Sequence, residues 1–333
     1  MSPRLLLVGG PGGSGSSTWA AALADDWAAR GLSVGVVSLD PRFGAHTLTT
    51  HRDAVMVRPE VDLPEMLSSA ARSWGLDPFV VDQALALLSA TGGPALWQLP
   101  RLLERFDRVV VDAGAQLSGL VLQAHRLPWL LSEAGPLHSG WLRATRPVIA
   151  LAMGSSAIDK AGASRLAAVA EDAVRLSELV MSRATASVLC ARNGSPTAKV
   201  RHHACALALA QCRLGAVVTA GDDVVLCDGP PVIPMWSDLP RNWAEKLADP
   251  PRESSVRGDA RDGAVTWELP LPFVDPTEVE LEQSGTRLAV AVQESRRTFV
   301  LPSLLARHVA TGATVRQGIL GVTFEPTQPE GTS

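Results

Sequence analysis

The chain of 333 residues has no tyrosine, six phenylalanines and four cysteines, and only three of its 30 basic residues are lysines: Lys160, Lys199 and Lys246. Positive charge is therefore carried by 27 arginines, and the first 159 residues hold no lysine at all. An arginine-favouring codon bias accounts for the shortage, but the shortage also limits what chemistry those 159 residues can perform. Cys190, Cys205, Cys212 and Cys227 are too sparse for a disulfide scaffold and fit a reducing compartment. No stretch reaches the roughly 18–20 uninterrupted apolar residues of a membrane-spanning helix. The apolar run at residues 5–8 meets glycines too soon for a signal peptide. The expectation is a cytoplasmic protein with no membrane span. Thirty-four acids against 30 bases leave a net charge of -4, without the basic excess of a dedicated nucleic-acid binder. No nucleic-acid partner is expected.

With 46% hydrophobic and 19% charged residues, the length suffices for one large core and a second, small domain. Residues 4–9 (RLLLVG) form a short apolar run that ends in glycines, and an Ala-rich stretch follows from Ser16 to Arg30. That pattern is strand, glycine loop, helix. Residues 32–39, 107–113, 147–153 and 186–191 are further apolar runs of strand length. Continuous apolar strands alternating with helices predict a parallel sheet covered on both faces. Residues 156–183 form the clearest long helix, 61–105 read as two or three helices broken at Pro78 and at Gly92-Gly93-Pro94, and 117–145 is also helical. The stretch 249–263 (DPPRESSVRGDARDG) is almost devoid of apolar residues and reads as a linker between a domain at 1–248 and one at 264–326. Beyond it the period becomes strand-like, at 278–282, 287–292, 297–301 and 318–324, which predicts a small β-sandwich. Leu269, Leu271, Phe273, Val290, Val292, Phe299 and Leu320 suit its core, and Arg296-Arg297 reads as a solvated or structural pair.

The loop GGPGGSGSST at residues 9–18 has the spacing of a P-loop, G-x-x-x-x-G-K-[ST], with Gly10 and Gly15 as the fixed glycines and Ser17 at the hydroxyl position. Glycines let successive amides turn onto phosphate oxygens, and the following helix N-terminus favours negative charge. The position that needs lysine holds Ser16. Asp40 ends the second strand, where a carboxylate can position water, and Asp112 ends the third, where it can hold Mg²⁺ together with Ser17. These acids and the glycine loop lie at consecutive strand ends of a doubly wound sheet. The nucleotide-binding set is Gly10, Gly12, Gly13, Ser14, Gly15, Ser16, Ser17 and Thr18, with Asn193 after the fifth strand as an adenine contact.

On these residues the chain resembles the ArsA/GET ATPases, the anion-transporting and membrane-protein-targeting branch of deviant-Walker (SIMIBI) P-loop NTPases. The loop at 9–18 is similar to their GGKGGVGKST-like motif. Asp40-Pro41 and Ala45-His46-Thr47-Leu48 resemble their DPAHSL switch, interrupted by Arg42-Phe43-Gly44. Phe106 to Ala115 (FDRVVVDAGA) resembles YDxVVVDTAP. Leu269 to Val274, Glu280-Leu281, Arg296-Arg297, Leu301-Pro302 and Gly312 to Leu320 follow the small-heat-shock-like domain that ends many bacterial ArsA-like proteins. The resemblance implies ATP or ADP with Mg²⁺ as cofactor, dimeric action on a like or paralogous subunit, and a protein-binding β module.

The departures fall on function. The family's phosphate lysine corresponds to Ser16, and its cross-dimer signature lysine to Pro11. A charge-assisted hydrogen bond to phosphate is worth about 1.5–3 kcal/mol, and loss of one transition-state donor costs about 10²–10³ in rate. Arg42, beside Asp40, is the best candidate for a replacement cation. The expectation is a degenerate Walker A site that binds and hydrolyses ATP weakly or not at all, in a regulatory or partner-binding protein. Two alternatives remain: an active ArsA-like ATPase in ion transport or membrane-protein targeting, and a MinD/ParA-like positioning protein, which the C-terminal β module disfavours. The GET branch's CxxC zinc site has no counterpart, so no zinc is expected. His202, His203, Cys205 and Cys212 are better read as packing residues, the two cysteines two turns apart on a helical face. Trp74, Trp97, Trp129 and Trp141 read as ordinary core.

Overall fold

The computed structural model describes residues 2–39, 49, 54–56, 93–131, 160–192, 197–219, 232–234, 243–245, 247, 254–258, 263–271 and 274–326, some of them as backbone alone. Seven strands make one sheet: β1 (Leu5–Gly9), β2 (Val34–Ser38), β3 (Ala54–Met56), β4 (Arg108–Gly114), β5 (Thr185–Ala191), β6 (Leu214–Thr219) and β7 (Val232–Pro234). Their spatial order is β3-β2-β4-β1-β5-β6-β7, and every neighbouring pair is parallel. Leu5 lies opposite both Val109 of β4 and Thr185 of β5, so β1 occupies the middle of the sheet.

Central strands are apolar on both faces because helices cover both. Leu6 and Val8 face α1 (Ser16–Ala29), which buries Trp19, Ala20, Leu23, Ala24 and Trp27 against them. Trp243 closes that layer. Its ring lies 5.2 Å from Trp27, its indole N–H donates to Asp26 at 2.8 Å, and Arg213 donates to the carbonyl of Leu247 just beyond. Leu5 and Leu7 face the opposite layer, built from α2 (Gly93–Arg105), α3 (Leu117–Leu131), α4 (Lys160–Met181) and α5 (Thr197–Leu209). Among the described residues no helix is long and apolar enough to cross a membrane.

The C-terminal region is antiparallel. β8 (Ser255–Arg257), β9 (Val265–Pro270), β13 (His308–Arg316) and β14 (Ile319–Pro326) form one sheet in the order β13-β14-β9-β8, and β10 (Val279–Ser284), β11 (Arg287–Val292) and β12 (Ser295–Val300) form another. The two sheets share a core in which Trp267 of β9 meets Phe299 of β12 edge-on at 5.2 Å. Leu269, Leu271, Val290, Val292, Phe299 and Leu320 are buried as the alternation predicts, and Phe273 lies outside the described residues.

Several sequence expectations need amendment or fall outside the described residues. Ser255–Arg257, inside the stretch read as linker, is a strand paired with β9. Cys205 and Cys212 do not share a helical face: α5 ends at Leu209, Gln211 turns the chain at φ 53°, and Cys212 follows the helix. Both cysteines are buried, and the Cys212 sulfur meets the Ser187 hydroxyl at 3.2 Å. Residues 147–153, 61–92, Trp74 and Trp141 lie outside the described residues, while Trp97 on α2 is half-buried.

Candidate functional site

The carboxyl ends of β1, β2, β4 and β5 converge at one edge of the sheet, where doubly wound folds hold their ligands. β1 hands over to the glycine loop there, and β4 is locked to it in register. Val8 lies opposite Asp112 and Gly9 opposite Gly114, with Ala113 skipped in a bulge. The Gly10 amide donates to the Gly114 carbonyl at 2.9 Å, which clamps the start of the loop onto the end of β4. Only glycine fits at position 10, since a Cβ there would stand 2.1 Å from the Cys190 carbonyl oxygen of β5.

The loop then makes one tight turn, in which the Ser14 amide donates to the Pro11 carbonyl at 3.0 Å, and enters α1 through Gly15 at φ 82°. That left-handed conformation is inexpensive for glycine and costly for other residues. No side chain caps α1, and its first turn holds no acid. The amides of Ser16, Ser17 and Thr18 therefore have no intrahelical acceptor, and they carry the positive end of the helix dipole. Gly12 and Gly13 are exposed, Gly15 and Ser17 half-buried, and Thr18 exposed.

Two hydroxyls sit lower. Ser14 is only 2% exposed, and its Oγ is a buried polar atom with no partner in the structure. Ser16 is 8% exposed, and its Oγ lies toward the end of β4, 3.9 Å from where a Cβ on Gly114 would stand. Beside them Asp112 is buried at 3% exposure. The Ser38 hydroxyl of β2 donates to its Oδ2 at 3.4 Å, and the Leu39 amide donates to its backbone carbonyl. The Cys190 thiol is pushed well up from its ordinary value, first by burial and then by the negative charge of Asp112. Segments 9–18 and 112–114 carry one formal charge between them, the Asp112 carboxylate.

The structure thus brings Gly10, Gly12, Gly13, Ser14, Gly15, Ser16, Ser17, Thr18 and Asp112 to one sheet edge. Asp40, Arg42 and Asn193 lie outside the described residues. Sequence reasoning missed Gly114, whose carbonyl holds the loop, and the burial of Ser14, which no spacing rule signals. It also passed over Arg192, an exposed cation immediately after β5 at this edge. The donors suit the group that the resemblance implies. Amides, a helix N-terminus and a partnerless buried hydroxyl fit phosphate oxygens. The Ser17 hydroxyl and Asp112 carboxylate are hard oxygen donors of the kind Mg²⁺ accepts.

Away from this edge, His202 and His203 stack edge-on at 5.7 Å on α5, and burial, then the neighbouring His202, lowers His203 to about 4. Among the described residues no group of three or more His, Cys, Asp or Glu side chains could hold a metal ion.

Comparison with known proteins gives two partial matches. An uncharacterized protein of Streptomyces coelicolor is 45% identical over 67 residues, which is 20% of this chain and 17% of that protein. The chain therefore aligns with under a fifth of the length of that relative. Residues 262–324 match the family model of the HSP20-like domain found in ArsA, so the antiparallel C-terminal region is a small-heat-shock-like domain of the ArsA-associated type.

Proposed function

We propose that this chain is an ArsA-like P-loop protein whose nucleotide cradle retains its backbone but has lost its cations, and that it acts through protein partners more than through ATP turnover. The observation that carries the proposal is Ser16. At the position where the resembled family places its phosphate lysine, the chain has a short, buried hydroxyl lying toward Gly114, within the first 159 residues that contain no lysine. The remaining donors are amides and the Ser14 hydroxyl, and the one formal charge within segments 9–18 and 112–114 is the Asp112 carboxylate, which disfavours a bare polyphosphate. Bound Mg²⁺, held by Ser17 and Asp112, would offset that charge and supply the electrostatic stabilisation that phosphoryl transfer requires. Asp40 keeps the water-positioning role assigned from the sequence, and Asn193 the adenine contact. The HSP20-like region supplies the partner-binding surface, for an intact ATPase paralogue or another client.

The test is a calorimetric titration of the full chain with ATP–Mg²⁺, paired with a phosphate-release assay and repeated on Ser16→Lys. The proposal expects binding weaker than micromolar, negligible turnover, and a tightening of one to two orders of magnitude in the variant, matching about 1.5–3 kcal/mol for a charge-assisted contact. Steady turnover by the unaltered chain, abolished by Asp40→Asn, would instead establish the enzyme reading, a slow ATPase that takes its cation from Arg42 or from a partner.

A further inference from the structure

The HSP20-like region does not hang free of the α/β region. Its strand β12 lies against α3 and α5, and the described contacts span the length of α5. Near the start of α5, Arg201 pairs with Glu278 at 3.2 Å. At its end, the Arg297 guanidinium of β12 donates to the Leu209 carbonyl at 2.6 Å, with a second nitrogen 3.9 Å from the Met181 sulfur at the end of α4. Arg126 of α3 donates to the Arg296 carbonyl on the outer edge of β12 at 3.3 Å. β12 pairs with β11 on its other side only, so the α/β region covers an edge strand that would otherwise present open hydrogen-bonding groups.

Arg297 is an unusual tenant of this interface. It is half-buried, and among the described residues no carboxylate lies within ion-pair distance of it. Burial draws its pKa down to about 10. The stabilisation it has comes from the carbonyl end of the α5 dipole and from the Phe299 ring, 4.4 Å below its carbon. Beside it, His125 is held neutral. The Ala210 carbonyl accepts from its Nε2 at 2.6 Å, the Ser177 hydroxyl donates to its Nδ1 at 2.9 Å, and burial followed by the Arg297 charge lowers it to about 3. A guanidinium drawn partly out of water without a counter-ion is costly, yet here it is one of the side chains that join the two regions, together with Arg126 and Arg201. α5 itself starts at the sheet edge that carries the candidate nucleotide site and ends at this contact.

We propose that Arg297 is a releasable latch: it holds the HSP20-like region down on α5 and keeps the β12 edge covered, and its withdrawal frees that region while the parallel sheet stays folded. The physical basis is the mismatch between a contact that fixes geometry well and a charge that water would solvate better. Dipoles and a ring hold the guanidinium in place, but none of them neutralises it. Arg201–Glu278 acts as the second, more exposed point of attachment.

Native-state hydrogen exchange on the full chain tests this, comparing the unaltered protein with Arg297→Ala and, separately, with Glu278→Arg alone and combined with Arg201→Glu. The latch expects Arg297→Ala to accelerate exchange at least tenfold in β12 and in the last turn of α5, with β1, β4 and β5 unchanged. It expects Glu278→Arg to loosen the same segments and the charge-swapped pair to restore them. Unchanged protection in β12 would overturn the proposal, as would a uniform loss across the sheet, which would make Arg297 an ordinary part of one cooperative core. Should Arg297→Ala fail to fold, the Glu278 pair decides alone: loosening with rescue supports the latch, and loosening without rescue refutes it.

Discussion

Gly10 shows how much of the candidate site is decided by single residues that carry no chemistry. Its amide is tied to Gly114 and its α-carbon is pressed against the Cys190 carbonyl, so the loop can start only where β1, β4 and β5 meet. Gly10→Ala would put a methyl 2.1 Å from that oxygen, and the chain would have to move off β5. The expected cost is about 1–3 kcal/mol, the range for overpacking a closed interior, read as a lower urea midpoint at unchanged slope. Gly12→Ala is the matched control, since a Cβ there meets nothing within 4 Å; an equal loss in both variants would contradict the close-approach account. Ser14 belongs to the same scale. A hydroxyl that is buried and left without a partner is disfavoured unless a ligand or water completes it, so its position in the turn beneath the α1 amides supports the phosphate reading from an observation independent of the sequence motif.

At the scale of elements, much of the fold was legible because the apolar runs were continuous and the helices long. The runs at 4–9, 32–39, 107–113 and 186–191 correspond to β1, β2, β4 and β5, and 16–30 and 156–183 contain α1 and α4. β6 and β9 escaped notice for physical reasons. β6 (LGAVVT) is short and flanked by other apolar residues, so no change of period marks it, and β9 (VTWELP) is short and ends on Pro270, which reads as a break. β13 alternates weakly because it is an edge strand with most of its residues exposed. The glycine loop was visible as spacing, but the burial of Ser14 and Ser16 and the clamp from Gly114 depend on β4 lying beside β1, which only the folded sheet reveals. The packing of α3, α4 and α5 also sets a pH response. His125 and His203 have pKa values lowered from 6.5 to about 3 and about 4, in both cases chiefly by burial. Between those values and 6.5 the unfolded chain binds more protons than the folded one, so stability rises with pH through this window and is fully present above it. Urea unfolding from pH 4 to 7.5 should show stability increasing with a limiting slope of about 1.4 kcal/mol per pH unit for each histidine, and His125→Gln should reduce that slope. A profile equally steep in the variant would remove His125 as its source.

On the scale of the whole molecule, the two regions are joined by more than the segment at 249–263. The buried residues that line the helical face of the parallel sheet run without a break into those between the two antiparallel sheets, from Leu5 and Val109 through Val200 and Leu209 to Val290 and Phe324. A shared core couples the unfolding of its parts, because opening either region exposes apolar surface on both. Calorimetry of the unaltered chain should therefore give one transition, with calorimetric and van't Hoff enthalpies in agreement. Two resolved transitions in the unaltered chain would mean that the contact surface is too weak to couple the regions. With the Arg297 contact removed, the same scan should separate, the HSP20-like region melting first because it is the smaller and buries a lower fraction of its surface. The sheet edge that carries Ser14, Ser16 and Asp112 would then survive to the second transition. If so, added ATP–Mg²⁺ should shift only that second transition, since a ligand stabilises the unit that binds it by RT ln(1 + [L]/Kd). A shift of the first transition instead would place the nucleotide response in the HSP20-like region and not at the glycine loop.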